Sequence, residues 1–151
     1  MTRFLSRILA TQWHALRLYR LSRRADSLGH GDIASLLLSV GKFISGIEIV
    51  HGAVIGEGTV FIHGTGVVIG PGVVVGRDCR IFHNVTLGSR DGISYPTIGN
   101  GVTLYPGAVV LGAVQVGDNA VVGANAVVLE NVAENQIVAG NPARLVGIVE
   151  S

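Results

Sequence analysis

His63 and His83 are the residues of this chain best suited to chemistry. Imidazole changes charge near working pH, and both stand in stretches otherwise built of aliphatic, glycine and small polar residues, "FIHGTGVVIG" and "RIFHNVTLG". Spacing joins them. From Ile49 onward the chain repeats every six residues, with large apolar side chains leading at Ile49, Ile55, Phe61, Ile69, Val75, Ile81, Leu87, Ile98, Leu104, Val110, Val116, Val122 and Val128. Counting the hexads in threes puts Phe61, Ile81, Leu104 and Val122 on one side of successive coils. The second position of this column carries Ile62, Phe82 and Tyr105 where glycine is usual, and the third carries His63, His83 and Pro106. The two histidines are thus expected at the same point of adjacent coils, about 4.8 Å apart at the backbone. A single buried histidine commonly satisfies a backbone carbonyl, and His83 could do the same. Two in register point to a functional site. His14, His30 and His51 fall elsewhere and read as structural or solvated residues.

The elements that hold this column follow from the repeat. The position after the leading residue is glycine in seven of thirteen hexads (Gly56, Gly70, Gly76, Gly88, Gly99, Gly117, Gly123), and the fifth is nearly always small or valine, as at Ala53, Thr59, Val73, Cys79, Ala108 and Ala126. Each hexad therefore reads as one short strand and one tight corner, and three sides close a triangular coil. Thirteen hexads make roughly four coils. The period breaks twice. An eight-residue step from Phe61 to Ile69 inserts two residues beside His63, and an eleven-residue step from Leu87 to Ile98 extrudes a loop over residues 88–97. Insertions in solenoids collect on the binding face. Ahead of the repeats, Leu5, Leu9, Trp13, Leu16 and Tyr19 stand at helical spacing over residues 2–24, and a second helix is expected from Ile33 to Phe43 with Asp32 as N-cap. This divides the chain into a helical segment (1–46), a β-helix (47–133) and a C-terminal tail (134–151).

Composition narrows the function. The chain has 151 residues, 48% hydrophobic and 14% charged, enough for one domain with a sizeable core. A formal net charge of +1 argues against a general nucleic-acid binder, although Arg3, Arg7, Arg17, Arg20, Arg23 and Arg24 crowd the start with no acid among them. A basic amphipathic helix of this kind can lie on a membrane surface, or pack on its own β-helix or a neighbouring subunit. One cysteine, Cys79, leaves no internal disulfide, and no apolar run reaches membrane-spanning length, so a cytoplasmic protein is expected, with peripheral contact at the inner membrane face as the variant the basic helix allows.

The hexads resemble those of the hexapeptide-repeat acyltransferases, which implies an all-β solenoid, a left-handed parallel β-helix with a short N-terminal helical segment. "HALRLYRLSRRADSLGHGDIASLL", "IEIVHGAVIGEGTVFIHGTGVVIG", "NVTLG" and "AGNPARLVG" are similar to segments of serine acetyltransferase and its relatives in capsular and exopolysaccharide biosynthesis. The resemblance implies acetyl-CoA as co-substrate, no metal, and direct transfer to a hydroxyl. It makes His63 the general base and Glu48 the carboxylate that orients it, with His83 beside them. A neutral imidazole accepts the hydroxyl proton as the oxygen attacks the thioester, and a carboxylate stabilises the imidazolium. Gly88, Gly123 and Ala124 match positions along the pantetheine arm, and Arg144 is a candidate for the CoA phosphates. A homotrimer with sites between subunits is implied.

Departures from that pattern bear on the acceptor. Serine acetyltransferases place an aspartate before the catalytic histidine, where this chain has Ile62, and an Arg-His-Pro at the far end of the loop, where it has Ser94, Tyr95 and Pro96. Losing charges that would pair with a zwitterion weakens the case for free serine. Ile62, Phe82, Tyr95 and Tyr105 instead suit a sugar ring, so the expected acceptor is a sugar or polysaccharide precursor, with serine as the alternative. Two readings from other classes compete. A γ-class carbonic anhydrase needs a histidine pair four residues apart and about three zinc ligands, whereas only His63 and His83 converge. A non-catalytic β-helix scaffold would explain Ile62 and the Tyr105-Pro106 pair but leaves His63 and Glu48 without a role.

Overall fold

In the computed structural model, each of the thirteen hexads supplies one strand. The structure describes the backbone of residues 2–150 and side chains from His14 to Glu150, so the side chains of Arg3, Leu5, Arg7, Leu9 and Trp13 lie outside the described residues. The first coil contains β1 (Glu48–Ile49), β2 (Val54–Ile55) and β3 (Val60–Ile62). The second contains β4 (Val68–Ile69), β5 (Val74–Val75) and β6 (Arg80–Phe82). Next come β7 (Thr86–Gly88), β8 (Thr97–Ile98) and β9 (Thr103–Leu104), then β10 (Val109–Leu111), β11 (Gln115–Val116) and β12 (Val121–Val122). The fifth coil is formed by β13 (Val127–Val128) and β14 (Gln136–Ala139), and β15 (Arg144–Ile148) ends the chain.

Strands three apart stack in parallel, giving sheets β1-β4-β7-β10-β13, β2-β5-β8-β11 and β3-β6-β9-β12-β14. Twelve of the thirteen leading residues are buried and the other, Ile55, is half-buried, so one apolar column fills the prism on each side. The expected column is real: Phe61 pairs with Ile81, Ile81 with Leu104 and Leu104 with Val122. Valine and isoleucine dominate because their branched side chains suit a fully buried parallel strand.

The repeat runs past residue 133. Val132 bridges to Val116, and Ile137 and Val138 pair in parallel with Val121 and Val122. A four-residue step from Val128 to Val132 hides this last coil from a strict six-residue count. β15 then turns back antiparallel along β14.

Two helices, α1 (Thr2–Ser27) and α2 (Gly31–Ser45), form a hairpin on the first coil. Ala15, Tyr19 and Ser22 are the buried side of α1, and Tyr19 Oη donates to Ala53 O and accepts from Ile55 N, both at 3.0 Å. At the C-terminus of α1, Asp26 Oδ1 meets His51 Nε2 at 3.0 Å. Asp32 is not the N-cap of α2. His30 occupies that position without a side-chain cap bond, and Asp32 sits in the first turn, where its charge complements the helix dipole. Gly46, at φ 69°, closes α2 and feeds β1.

Candidate active site

The first corner after β3 differs from those stacked on it. In the second, third and fourth coils the chain turns at Asn84, Gly107 and Asn125, with φ of 55°, 72° and 55°. A Cβ on Gly107 would lie 2.2 Å from Asn125 Oδ1, and one on Gly66 would lie 2.2 Å from Asn84 Oδ1, so Gly66 (φ 77°) is the matching corner of the first coil. Corner hydrogen bonds agree: Asn84 N donates to Thr65 O, Gly107 N to His83 O and Asn125 N to Pro106 O, at 3.0, 3.0 and 2.9 Å. Thr65, His83 and Pro106 are therefore in register. The residues inserted by the eight-residue step are His63 and Gly64.

His63 and His83 accordingly do not occupy the same point of the repeat. Their strands pair as far as Ile62 and Phe82, and then the first coil bulges while the second turns at once. His63 takes φ 52°, a left-handed conformation that histidine adopts more readily than most residues, and its side chain is exposed without a hydrogen bond or ion pair among the described residues. The bulge is seated firmly. Gly64 is buried, and a Cβ there would lie 2.6 Å from Ile47 Cδ1 and 3.0 Å from Phe61 Cβ.

His83 is half-buried, and its Nδ1 is shut off from solvent with no partner among the described residues. Leaving a buried polar nitrogen unpaired costs about 1–3 kcal/mol, which marks this atom as a candidate contact. It does not satisfy a backbone carbonyl. Next to it, the Phe82 and Tyr105 rings stack with centroids 5.2 Å apart and 22° between planes. Ile62, Phe82 and Tyr105 thus form one apolar strip, which continues to Gly123 and Ala124. Gly123 has a packing reason of its own: a Cβ would lie 3.0 Å from Ala139 Cβ in the next coil.

Glu48 reaches the same end of the molecule, its strand running beside Val67 and Val68 just after the bulge. Its carboxylate is engaged by Lys42 Nζ at 2.8 Å, not by His63. Lys42 was not evident from the sequence, because the contact joins a helix end to a strand start.

Tyr95 and Gly88 lie on a different edge. Tyr95 covers the Gly70-Pro71-Gly72 corner, where a Cβ on Gly72 would come 2.4 Å from the Tyr95 ring, so this tyrosine anchors the loop and does not line the Ile62 strip. Asp91 organises the same loop. Its Oδ1 accepts from Ser94 N at 2.7 Å, Ser89 Oγ at 2.7 Å and Ile93 N at 2.8 Å, and Oδ2 accepts from Ser94 Oγ at 2.8 Å. These donors, Ser94 N–H foremost, hold the Asp91 carboxyl well below the usual carboxylate range. Arg144, on β15, is exposed and donates to Ala143 O at 2.9 Å. Among the described residues no group of three or more His, Cys, Asp or Glu side chains could hold a metal.

Known proteins share this fold. The family described as bacterial transferase hexapeptide (six repeats) matches residues 95–130. Serine acetyltransferase of Helicobacter pylori is 43% identical over 136 residues, covering 88% of this chain and 80% of that protein. The Mycobacterium tuberculosis serine acetyltransferase is 37% identical, over 89% of this chain and 60% of the relative. Among solved structures, serine acetyltransferase from Brucella abortus in complex with coenzyme A superposes with a TM-score of 0.89 at 36% identity, over 93% of this chain and 57% of that one. The chain thus spans little more than half of that solved relative. These relatives are serine acetyltransferases, not saccharide acetyltransferases.

Proposed function

Because the chain belongs to the serine acetyltransferase family of hexapeptide-repeat acyltransferases, we propose that it transfers the acetyl group of acetyl-CoA directly to an acceptor hydroxyl, with His63 as general base. The observation that carries this reading is the His63-Gly64 bulge: an exposed, left-handed histidine on a corner packed too tightly to move freely. His63 takes the acceptor proton, the acceptor oxygen attacks the thioester carbonyl, and the CoA thiolate leaves and is reprotonated. General-base help of this kind contributes about 10²–10⁴ in rate. Glu48 is the carboxylate of this edge and would have to exchange Lys42 for His63 to orient the imidazole, while His83 Nδ1, unpartnered among the described residues, is available to the acceptor or the developing oxyanion. CoA lies along the strip from Tyr105 to Gly123 and Ala124, with Arg144 toward its phosphates.

The site is completed between subunits. Gly88 and Tyr95 stand on a different edge of a rigid prism from His63, and two such edges can meet only when copies pack side by side. A homotrimer satisfies this, uniting the 88–97 loop of one subunit with the His63 edge of the next. Serine is the leading acceptor on the strength of the relatives, and Arg90 on the loop offers a cation for its carboxylate. A sugar hydroxyl is the second reading, favoured by the stacked Phe82 and Tyr105 beside Ile62.

Thiol release from acetyl-CoA tests both, with L-serine and a panel of saccharides as acceptors and His63→Ala beside the native protein. Turnover with serine that vanishes in the variant supports the leading reading. Turnover confined to a saccharide transfers it to the second. No turnover with any acceptor in the native protein refutes both.

A further inference from the structure

We propose that the outer face of the α1–α2 hairpin docks onto a membrane surface carrying anionic headgroups. On α2, Ile33, Leu36, Val40, Phe43 and Ile44 are all exposed, Phe43 at 92%. They recur at helical spacing, while Ala34 and Gly41 form the buried side of the helix. On α1, Arg20 and Arg24 project on the side opposite Ala15, Tyr19 and Ser22, with Leu21 and Leu28 exposed between them and α2. An apolar band flanked by arginines is the pattern of a helix pair lying in the headgroup region, apolar side chains in the acyl boundary and guanidinium groups among phosphates.

Charge selects this occupant over a second copy of the chain. The first twenty-five residues hold six arginines and no acid. Of the two acids further along the hairpin, Asp26 is paired to His51 of the solenoid, and Asp32 sits in the first turn of α2. Two copies meeting on this face would bring arginines against arginines, whereas an anionic bilayer neutralises them. No described helix is long and apolar enough to cross a membrane, so the contact is peripheral. The hairpin rests on the first coil, which also carries His63, so docking sets the bulge within a few coil spacings of the lipid surface.

Co-sedimentation of the full chain with vesicles of phosphatidylcholine alone, and of phosphatidylcholine with phosphatidylglycerol, tests the proposal. Binding is expected only to the second, weakening with added salt. The paired change Arg20→Glu, Arg24→Glu should reduce partitioning at least about tenfold, and Leu36→Ser with Phe43→Ser should abolish it, each variant keeping the native circular dichroism spectrum. Absence of binding to the anionic vesicles, or equal binding to both vesicles, overturns the proposal. So does a fall in oligomeric order of the Leu36→Ser, Phe43→Ser variant with vesicle binding unchanged, which would give the face to a second copy. The readout is independent of acetyl transfer, so failure here leaves the catalytic reading standing.

Discussion

Replacing Gly64 with alanine tests whether the His63 bulge is held by packing. Gly64 does not use a left-handed φ, so the change carries no backbone penalty, and its whole effect comes from one added carbon. That carbon would lie 2.6 Å from Ile47 Cδ1 and 3.0 Å from Phe61 Cβ, against a comfortable carbon–carbon separation of about 3.5–4.0 Å. The shortfall is about 1 Å. Ile47 and Phe61 are 2% and 1% exposed, so neither has space to retreat, and the bulge must lift. Overpacking of this kind costs about 1–3 kcal/mol, which lowers the melting temperature by about 2–12 °C in a chain of this size. A misplacement of about 1 Å at a catalytic group can cost about 10²-fold in turnover. The assay is kcat and KM for thiol release beside a thermal melt, on Gly64→Ala, Ile47→Val and the double variant. Ile47→Val removes the nearest obstructing methyl, so the double variant should recover part of the lost kcat and be more stable than the two single effects predict. Native kcat in Gly64→Ala, or no recovery in the double variant, would refute the argument that packing positions His63.

Tyr95→Ala should free the 88–97 loop and speed tryptic cleavage at Arg90, with only a small fall in melting temperature, since the ring covers the Gly70-Pro71-Gly72 corner and packs on the edge of the core. Asp91→Ala should raise hydrogen exchange at the Ile93 and Ser94 amides. In the native protein those amides should stay protected as pH falls through the usual carboxylate value of about 4, because a lowered folded pKa keeps the stabilisation above the unfolded pKa and loses it only as pH drops through the folded one. Cys79 is buried and its thiol is pushed up by desolvation, so a disulfide reagent at pH 8 should label it slowly in the native state and quickly in denaturant. The same shift has a definite sign for stability. Above about pH 8.5 the unfolded thiol ionises while the folded one stays neutral, so alkaline pH should lower the melting point and Cys79→Ser should reduce that dependence.

The solenoid was legible because one physical requirement recurs: a large apolar residue every sixth position faces inward, and each of the thirteen leads a strand. The sheet containing Phe61, Ile81, Leu104 and Val122 follows from counting alone. The corner at His63 does not. A step of eight announces two extra residues without saying which two, and only the stacking of Asn84 on Gly66 identifies them as His63 and Gly64. The place of Tyr95 within one chain was not legible, because an aromatic beside an insertion reads equally as a binding residue or as the anchor of its own loop. The apolar side of α2 was also hidden, since exposure depends on which helix face the first coil covers. The sugar acceptor was read from missing charges, whereas the relatives similar over most of the chain are serine acetyltransferases.

A stack of parallel coils has no intrinsic length, because every coil offers its successor the hydrogen bonds it accepted from its predecessor. This chain imposes two stops. At one end the Tyr19 hydroxyl occupies Ala53 O and Ile55 N, backbone groups that a preceding coil would otherwise engage. At the other, β15 runs antiparallel along β14, in the wrong direction to template another parallel strand. Finite stacking is thus written into a phenol and a reversal of chain direction, and the same edges left bare would join molecule to molecule into a filament.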